Sequence, residues 1–250
     1  MSTYVTEGVI LRRVDYGEAD RILTVLTRDH GKIGVIDKGV RKAGSRLAAQ
    51  TDLFARSRMQ LAGGRGELDV LTQAQSVGPA VPLADARRTA CAAVCAELAD
   101  RVLESNHPDP ETFDLVVDAL RDCSDATRDP RSALVWLTRR MIDRLGYAPQ
   151  LHDCASCTQP LPESSAWFSA AAGGLLCDRC ATADPAAVEC SVRVIKVLRV
   201  AAAGDADLYR RLRLDEPSLA TLEMVAEREL AEHLERQLRS LPVLRAIERR

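Results

Sequence analysis

Residues 8–36, GVILRRVDYGEADRILTVLTRDHGKIGVI, hold three short apolar runs rich in β-branched residues: Gly8–Leu11, Ile22–Leu26 and Ile33–Ile36. Between them stand Asp15-Tyr16-Gly17 and Asp29-His30-Gly31, whose glycines and aspartates favour turns. Runs of this length bounded by turn formers predict strands. Further along, Leu68–Leu71 follows the glycine-rich Ala62–Gly66 in the same manner. Five or six short strands in about eighty residues suit a small closed barrel, because closure removes the exposed edges of a sheet. An OB-fold is the leading architecture, and an SH3-like barrel fits the same pattern.

Near Pro79 and Pro82 the apolar period lengthens to that of a helix. Cys91, Val94, Cys95, Leu98 and Val102 make one stripe, and Phe113, Val116, Val117 and Leu120 a second. Leu134, Leu137, Met141 and Leu145 make a third, which stops at Gly146. Asn106, Pro108 and Pro110 separate the first two helices, and Asp129-Pro130 the last two. Helices are expected again around 187–202 and 217–239. The chain is thus expected to be an α+β protein of several domains. A barrel is expected over 1–80, and a helical bundle in two parts, 81–150 and 184–250. Between those parts sits an inserted metal-binding segment, 151–183.

That segment holds Cys154-Ala-Ser-Cys157 and Cys177-Asp-Arg-Cys180. Two C-x2-C pairs at this distance follow the tetracysteine zinc pattern. Each pair makes a tight turn that presents two sulfurs, and two such turns complete a tetrahedron. Gly173-Gly174 suits the reversal before the second pair, and Arg179 lies where it offsets part of the thiolate charge. Four sulfurs leave no open position for water, so the expected Zn²⁺ is a single structural ion that folds a segment lacking its own core. Cys91, Cys95 and Cys123 sit on apolar stripes and read as small hydrophobes; Cys190 carries no signal.

The formal net charge is −2, yet its distribution is uneven. Residues 32–58 carry Lys32, Lys38, Arg41, Lys42, Arg46, Arg56 and Arg58 against Asp37 and Asp52. With Arg65 these cations form a candidate track for a phosphate backbone, giving affinity without base readout. Tyr4, Tyr16 and Phe54 are the aromatics of the barrel segment, so platforms for base stacking are few. A second basic set, Arg193, Lys196 and Arg199, recurs at helical spacing, followed by Arg210, Arg211 and Arg213. It is a candidate secondary contact for DNA or an acidic partner peptide. No phosphate-binding glycine loop or G-x-S-x-G elbow is present, and the His233-Leu234-Glu235 triplet follows both cysteine pairs rather than preceding them. A non-catalytic protein is expected. Neither a signal-peptide apolar region nor a membrane-length run occurs, which predicts a reducing, cytoplasmic setting.

The wording of several segments resembles the bacterial recombination mediator RecO family. Leu145-Gly146-Tyr147-Ala148-Pro149-Gln150-Leu151 ahead of the first cysteine pair carries the resemblance, as does Phe168-Ser169 before Gly173-Gly174-Leu175-Leu176-Cys177. So do Gly8–Arg12, Tyr16–Arg21, Thr27–Lys32 and Lys38–Arg41 near the start. Departures are Asp37 where the family commonly has alanine, Leu53 where proline is common, and Thr158 where glycine is usual. The resemblance implies an OB-fold, a helical domain and a zinc segment. It also implies binding of single- and double-stranded DNA and annealing of complementary strands. Cooperation with RecR is implied too, with contact to the acidic C-terminal tail of single-strand-binding protein and, indirectly, assistance to RecA in DNA repair and recombination. The alternative is a zinc-ribbon scaffold or RNA-binding protein without annealing activity.

Overall fold

A computed structural model describes residues 2–45, 47–64, 66–77, 85–234 and 237–249. Five strands, β1 (Thr3–Tyr16), β2 (Asp20–Thr27), β3 (Gly31–Asp37), β4 (Arg56–Ala62) and β5 (Leu68–Ser76), close a barrel in the order β1-β2-β3-β5-β4. Neighbours are antiparallel except β3 and β5, which run parallel. This closure is that of an OB-fold. The long β1 serves two partners. Thr3–Val9 pairs with β4 and Gly8–Tyr16 with β2, and a register shift between Ile10 and Arg12 bends it from one to the other. Inside lie Ile10, Leu23, Val25, Ile33, Val35, Met59, Leu61 and Leu71, each contributing roughly 1.5–3 kcal/mol over an exposed position.

The chain divides into two compact units, one formed by residues 1–130 and 238–250, the other by 131–237. In the first, α1 (Ala86–Val102) is capped by Asp85 and α2 (Pro110–Ser124) by Asp109, each side chain accepting from an N–H three residues on. Cys91, Cys95 and Cys123 are fully buried on these helices, with Cys95 Sγ 4.0 Å from Cys123 Sγ. Pro79, Pro82 and the expected boundary at 80/81 lie outside the described residues.

The second unit contains α3 (Pro130–Arg144), β6 (Ala166–Ser169), β7 (Gly174–Leu176), α4 (Asp178–Ala181), β8 (Val188–Cys190), α5 (Val192–Ala203), α6 (Ala206–Arg211) and α7 (Glu216–His233). Strands β7-β6-β8 form an antiparallel sheet. Helix α3 is buried along most of its length, Arg131 and Arg139 included. Arg139 pairs with Asp143 and with Glu229 of α7, and Arg131 with Glu216 at 2.6 Å and Glu223 at 3.3 Å.

Three expected boundaries shift. The helix expected from 187 starts at Val192, because Val188–Cys190 pairs with β6 instead. The helix expected over 217–239 ends at His233, and a separate α8 (Ser240–Glu248) returns to the first unit along α1. There Glu97 of α1 accepts hydrogen bonds from the N–H groups of Arg239 and Ser240 and from Ser240 Oγ, so it caps α8 from a distance. Leu145, expected on the apolar stripe of α3, is 41% exposed because the helix stops at Arg144.

Candidate metal centre and nucleic-acid interface

The first cysteine pair sits on a turn closed by Thr158 N–H donating to Cys154 O at 2.9 Å, with Cys154 N–H donating to Gln159 O at 2.8 Å. The second pair brackets the start of α4, where Cys177 O accepts from Cys180 N–H and Ala181 N–H, both at 3.0 Å. Ala155 N–H donates to Leu175 O at 2.7 Å and joins the two turns. Gly174 lets β7 lie against Gln150, whose O accepts Leu175 N–H at 2.8 Å: a Cβ there would stand 2.2 Å from that oxygen. Trp167 on β6 donates from Nε1 to Asp178 Oδ1 at 3.1 Å, fixing α4 on the sheet.

These turns bring the sulfurs of Cys154, Cys157, Cys177 and Cys180 within 4.8 Å of one another, with Cys157 and Cys177 at 3.9 Å. A tetrahedron with metal–sulfur bonds of about 2.3 Å has edges of about 3.8 Å, so the donor set can hold a metal ion. Burial pushes the Cys154 thiol up, but N–H groups of Cys157, Cys177 and Ser156 bring it down to about 6. Cys180 shares a hydrogen bond with Cys177 and is pushed up to about 11. Arg179 faces the sulfurs of Cys157 and Cys180, which raises its own pKa.

The predicted cations separate into groups. Lys38, Arg41 and Lys42 stand together, exposed, on the turn after β3. Arg41 N–H donates to Ala19 O at 2.9 Å, tying this turn to the β1–β2 hairpin, and its guanidinium lies 3.4 Å from Asp15 and 3.3 Å from Gly17 O. On the same hairpin Tyr16 is 55% exposed. Tyr4 instead packs at a tilt against His30 and bonds Asp69, and Phe54 is buried. Lys32 is diverted, bonding Asp100 O with Asp100 Oδ1 at 3.4 Å, and its side chain is only 14% exposed. Arg56 pairs with Glu7, whereas Arg58 is exposed on β4 opposite Glu7 in register. Arg46 and Arg65 lie outside the described residues.

The second basic set also divides. Arg199 donates from Nε and Nη2 to Leu151 O at 3.0 and 2.9 Å, holding α5 to the chain entering the cysteine segment. Arg193 bonds Arg213 O and lies 3.5 Å from Asp215. Arg193 and Lys196 border a groove of about 660 Å³ floored by Val197, Val200, Leu212 and Leu214, with Arg211 and Arg213 on the far rim. Sequence reasoning named the cations and missed the floor, since Leu212 and Leu214 lie in an irregular link with no period to mark them. Among the described residues no helix is long and apolar enough to cross a membrane.

A small closed barrel followed by a helical unit with a tetracysteine cluster is a modular architecture in which a barrel and a metal-binding segment are carried on one chain. Two family models match: Recombination protein O N terminal over residues 1–80 and Recombination protein O C terminal over residues 83–242. A DNA repair protein RecO of Roseiflexus sp. (strain RS-1) is 36% identical over 247 residues, covering 96% of this chain and 84% of the relative. That of Bifidobacterium adolescentis is 38% identical over 71% of this chain and 73% of the relative. The Bacillus subtilis protein of the same name is 32% identical over 88% and 86%. The chain belongs to the RecO family of DNA repair proteins.

Proposed function

We propose that the chain is a non-catalytic mediator that binds single- and double-stranded DNA and anneals complementary strands. The observation that carries this is the exposed trio Lys38, Arg41 and Lys42 on one turn of the barrel, beside the exposed ring of Tyr16. Phosphates held by such a turn give affinity that is independent of sequence and falls steeply with salt. Neutralising two backbones at one surface lowers their repulsion, while the scarcity of exposed aromatics leaves base edges free to pair. Arg58, opposite Glu7 toward the other end of β1, is proposed as a separate contact. Lys32, Arg46, Arg56 and Arg65 complete the proposed set, with Lys32 and Arg56 first giving up their acidic partners.

Zn²⁺ is the proposed occupant of the four cysteines, one ion with a structural role, since tetrahedral all-sulfur sites with this edge length suit it. The groove bordered by Arg193 and Lys196 has an apolar floor and cationic rims, the chemistry that receives an acidic, apolar-ended peptide. This supports a docking place for the C-terminal tail of single-strand-binding protein. RecR as a direct partner, assistance to RecA, action in the cytoplasm at the nucleoid, and the division into 1–80, 81–150, 151–183 and 184–250 belong to the same proposal.

The test is annealing of two labelled complementary oligonucleotides without ATP across a salt series. The expected result is acceleration over the spontaneous rate that fades with salt. Reversing Arg41 and Lys42 to glutamate should weaken DNA binding and flatten its salt dependence, by a slope of about 0.9 per lost phosphate contact. No acceleration by the folded, zinc-loaded protein would favour the scaffold or RNA-binding reading. An unchanged salt slope would move the interface off this turn.

A further inference from the structure

Asp37 ends the inward-facing series of β3, in which Ile33, Val35 and Asp37 alternate with less buried neighbours. Its side chain has no exposure and stands at the root of the turn that carries Lys38, Arg41 and Lys42. Oδ2 lies 2.8 Å from Thr51 Oγ1, and that hydroxyl lies 2.9 Å from Leu47 O. Oδ1 is buried without a hydrogen-bond partner among the described residues.

The charged neighbours do not neutralise it. Arg21, its cross-strand partner on β2, commits Nε to Asp15 of β1 at 3.1 Å. Asp20 accepts Gly39 N–H at 2.8 Å and adds a like charge. On the turn itself Lys38 and Arg41 are exposed, and Arg41 lies beside Asp15. From the loop, Thr51 meets it and is uncharged, Asp52 is turned to Arg13, and Arg46 lies outside the described residues.

Hydrogen-bond accounting then favours one protonation state. Thr51 has a single hydroxyl proton and two acceptors within reach. An ionised Asp37 would leave a charged oxygen bare in the interior, a costly arrangement. With a proton on Oδ2, Asp37 donates to Thr51 Oγ1 and Thr51 donates to Leu47 O. The bare Oδ1 is then only a neutral carbonyl.

We propose that Asp37 is held as a neutral carboxylic acid that latches β3 to the loop after it and positions the basic turn, and that its proton is linked to DNA binding. The second half rests on reading Lys38, Arg41 and Lys42 as phosphate contacts. Burial pushes the Asp37 carboxyl up, more than Thr51 and Arg21 pull it down. A carboxyl raised on folding stabilises fully below its unfolded value of about 3.9, and that contribution is lost as pH rises through the folded value. A phosphate beside the turn repels the ionised form, so by linkage DNA binds the protonated form more tightly.

The experiment compares the full wild-type chain with Asp37→Asn, an isostere that donates to Thr51 and carries no charge at any pH. Thermal unfolding without DNA, and anisotropy of a labelled oligonucleotide at constant ionic strength, are followed from about pH 4 to about pH 9. The expected result is that wild-type Tm falls relative to the variant as pH rises. Its affinity should fall roughly three- to tenfold relative to the variant over the same step. Parallel curves in both measurements overturn the proposal. A Tm difference with parallel binding curves keeps the buried proton and overturns its link to DNA. Absence of binding by either protein sinks the phosphate reading and the link with it, while the thermal curves still decide the proton. A carboxyl carbon-13 titration of the wild-type chain decides the proton without any substitution. One aspartate resonance titrating above the ordinary carboxylate range supports it, and none overturns it.

Discussion

Thr158 adopts φ 59°, in the left-handed region, immediately after the first cysteine pair. A β-branched residue is crowded there, at a cost of about 1–3 kcal/mol, part of which glycine would return as lost backbone entropy. The strain is set by its N–H, which must reach Cys154 O to close the turn that aims both sulfurs. Thr158→Gly should therefore tighten metal retention, slowing zinc transfer to a competing chelator several-fold. Unchanged or faster transfer would mean that the turn has relaxed around threonine. The same scale explains what could be read of the site in advance. The clustering of the four cysteines was legible from spacing alone, because C-x2-C turns are local. The diversion of Lys32 was not, because its partner Asp100 lies 68 residues away on α1.

Among the elements, α3 and α7 are joined by ions rather than by an apolar seam alone. The Arg139 and Glu229 side chains are 2% and 4% exposed, so neither charge can fall back on water. Burial lowers the Arg139 pKa, and Asp143 opposes that shift. Replacing Arg139 by methionine leaves Glu229 uncompensated, while Asp143 keeps Arg140 at 2.9 Å; this should cost about 3–5 kcal/mol and lower Tm by roughly 6–20 °C. Adding Glu229→Leu to that variant should restore part of the loss. A calorimetric scan of the three proteins checks this; a single variant as stable as wild type would show that water reaches the pair. The buried cations also explain why α3 showed its stripe but not its partners. Elements with strong periods, β2, β3, α1 and α2, were plain in the sequence. Strand β4 was not, because Ser57, Met59 and Leu61 face inward between Arg56, Arg58 and Gln60, long side chains equally at home in helices. Strands β6, β7 and β8 are too short to establish any alternation.

At the scale of the whole molecule, all four cysteines belong to the unit formed by 131–237, and the barrel belongs to the other. Metal removal should therefore be felt unequally. With the proposed zinc chelated, amides of β6, β7 and β8 are expected to exchange rapidly with deuterium, while those of β1 to β5 keep their protection. Loss of protection across the barrel as well would mean that the units do not unfold separately.

The cap that Glu97 places on α8 has a consequence for synthesis. Its bonding partner at Arg239 follows 142 residues later, a gap of roughly seven to thirty seconds at about 5–20 residues per second on the ribosome. Throughout that interval the cysteine-bearing unit can be finished while the seam on α1 still waits for its last helix. A nascent chain stalled within that window would present an uncovered apolar surface to chaperones and proteases, and the closing of α8 is the step that ends the exposure.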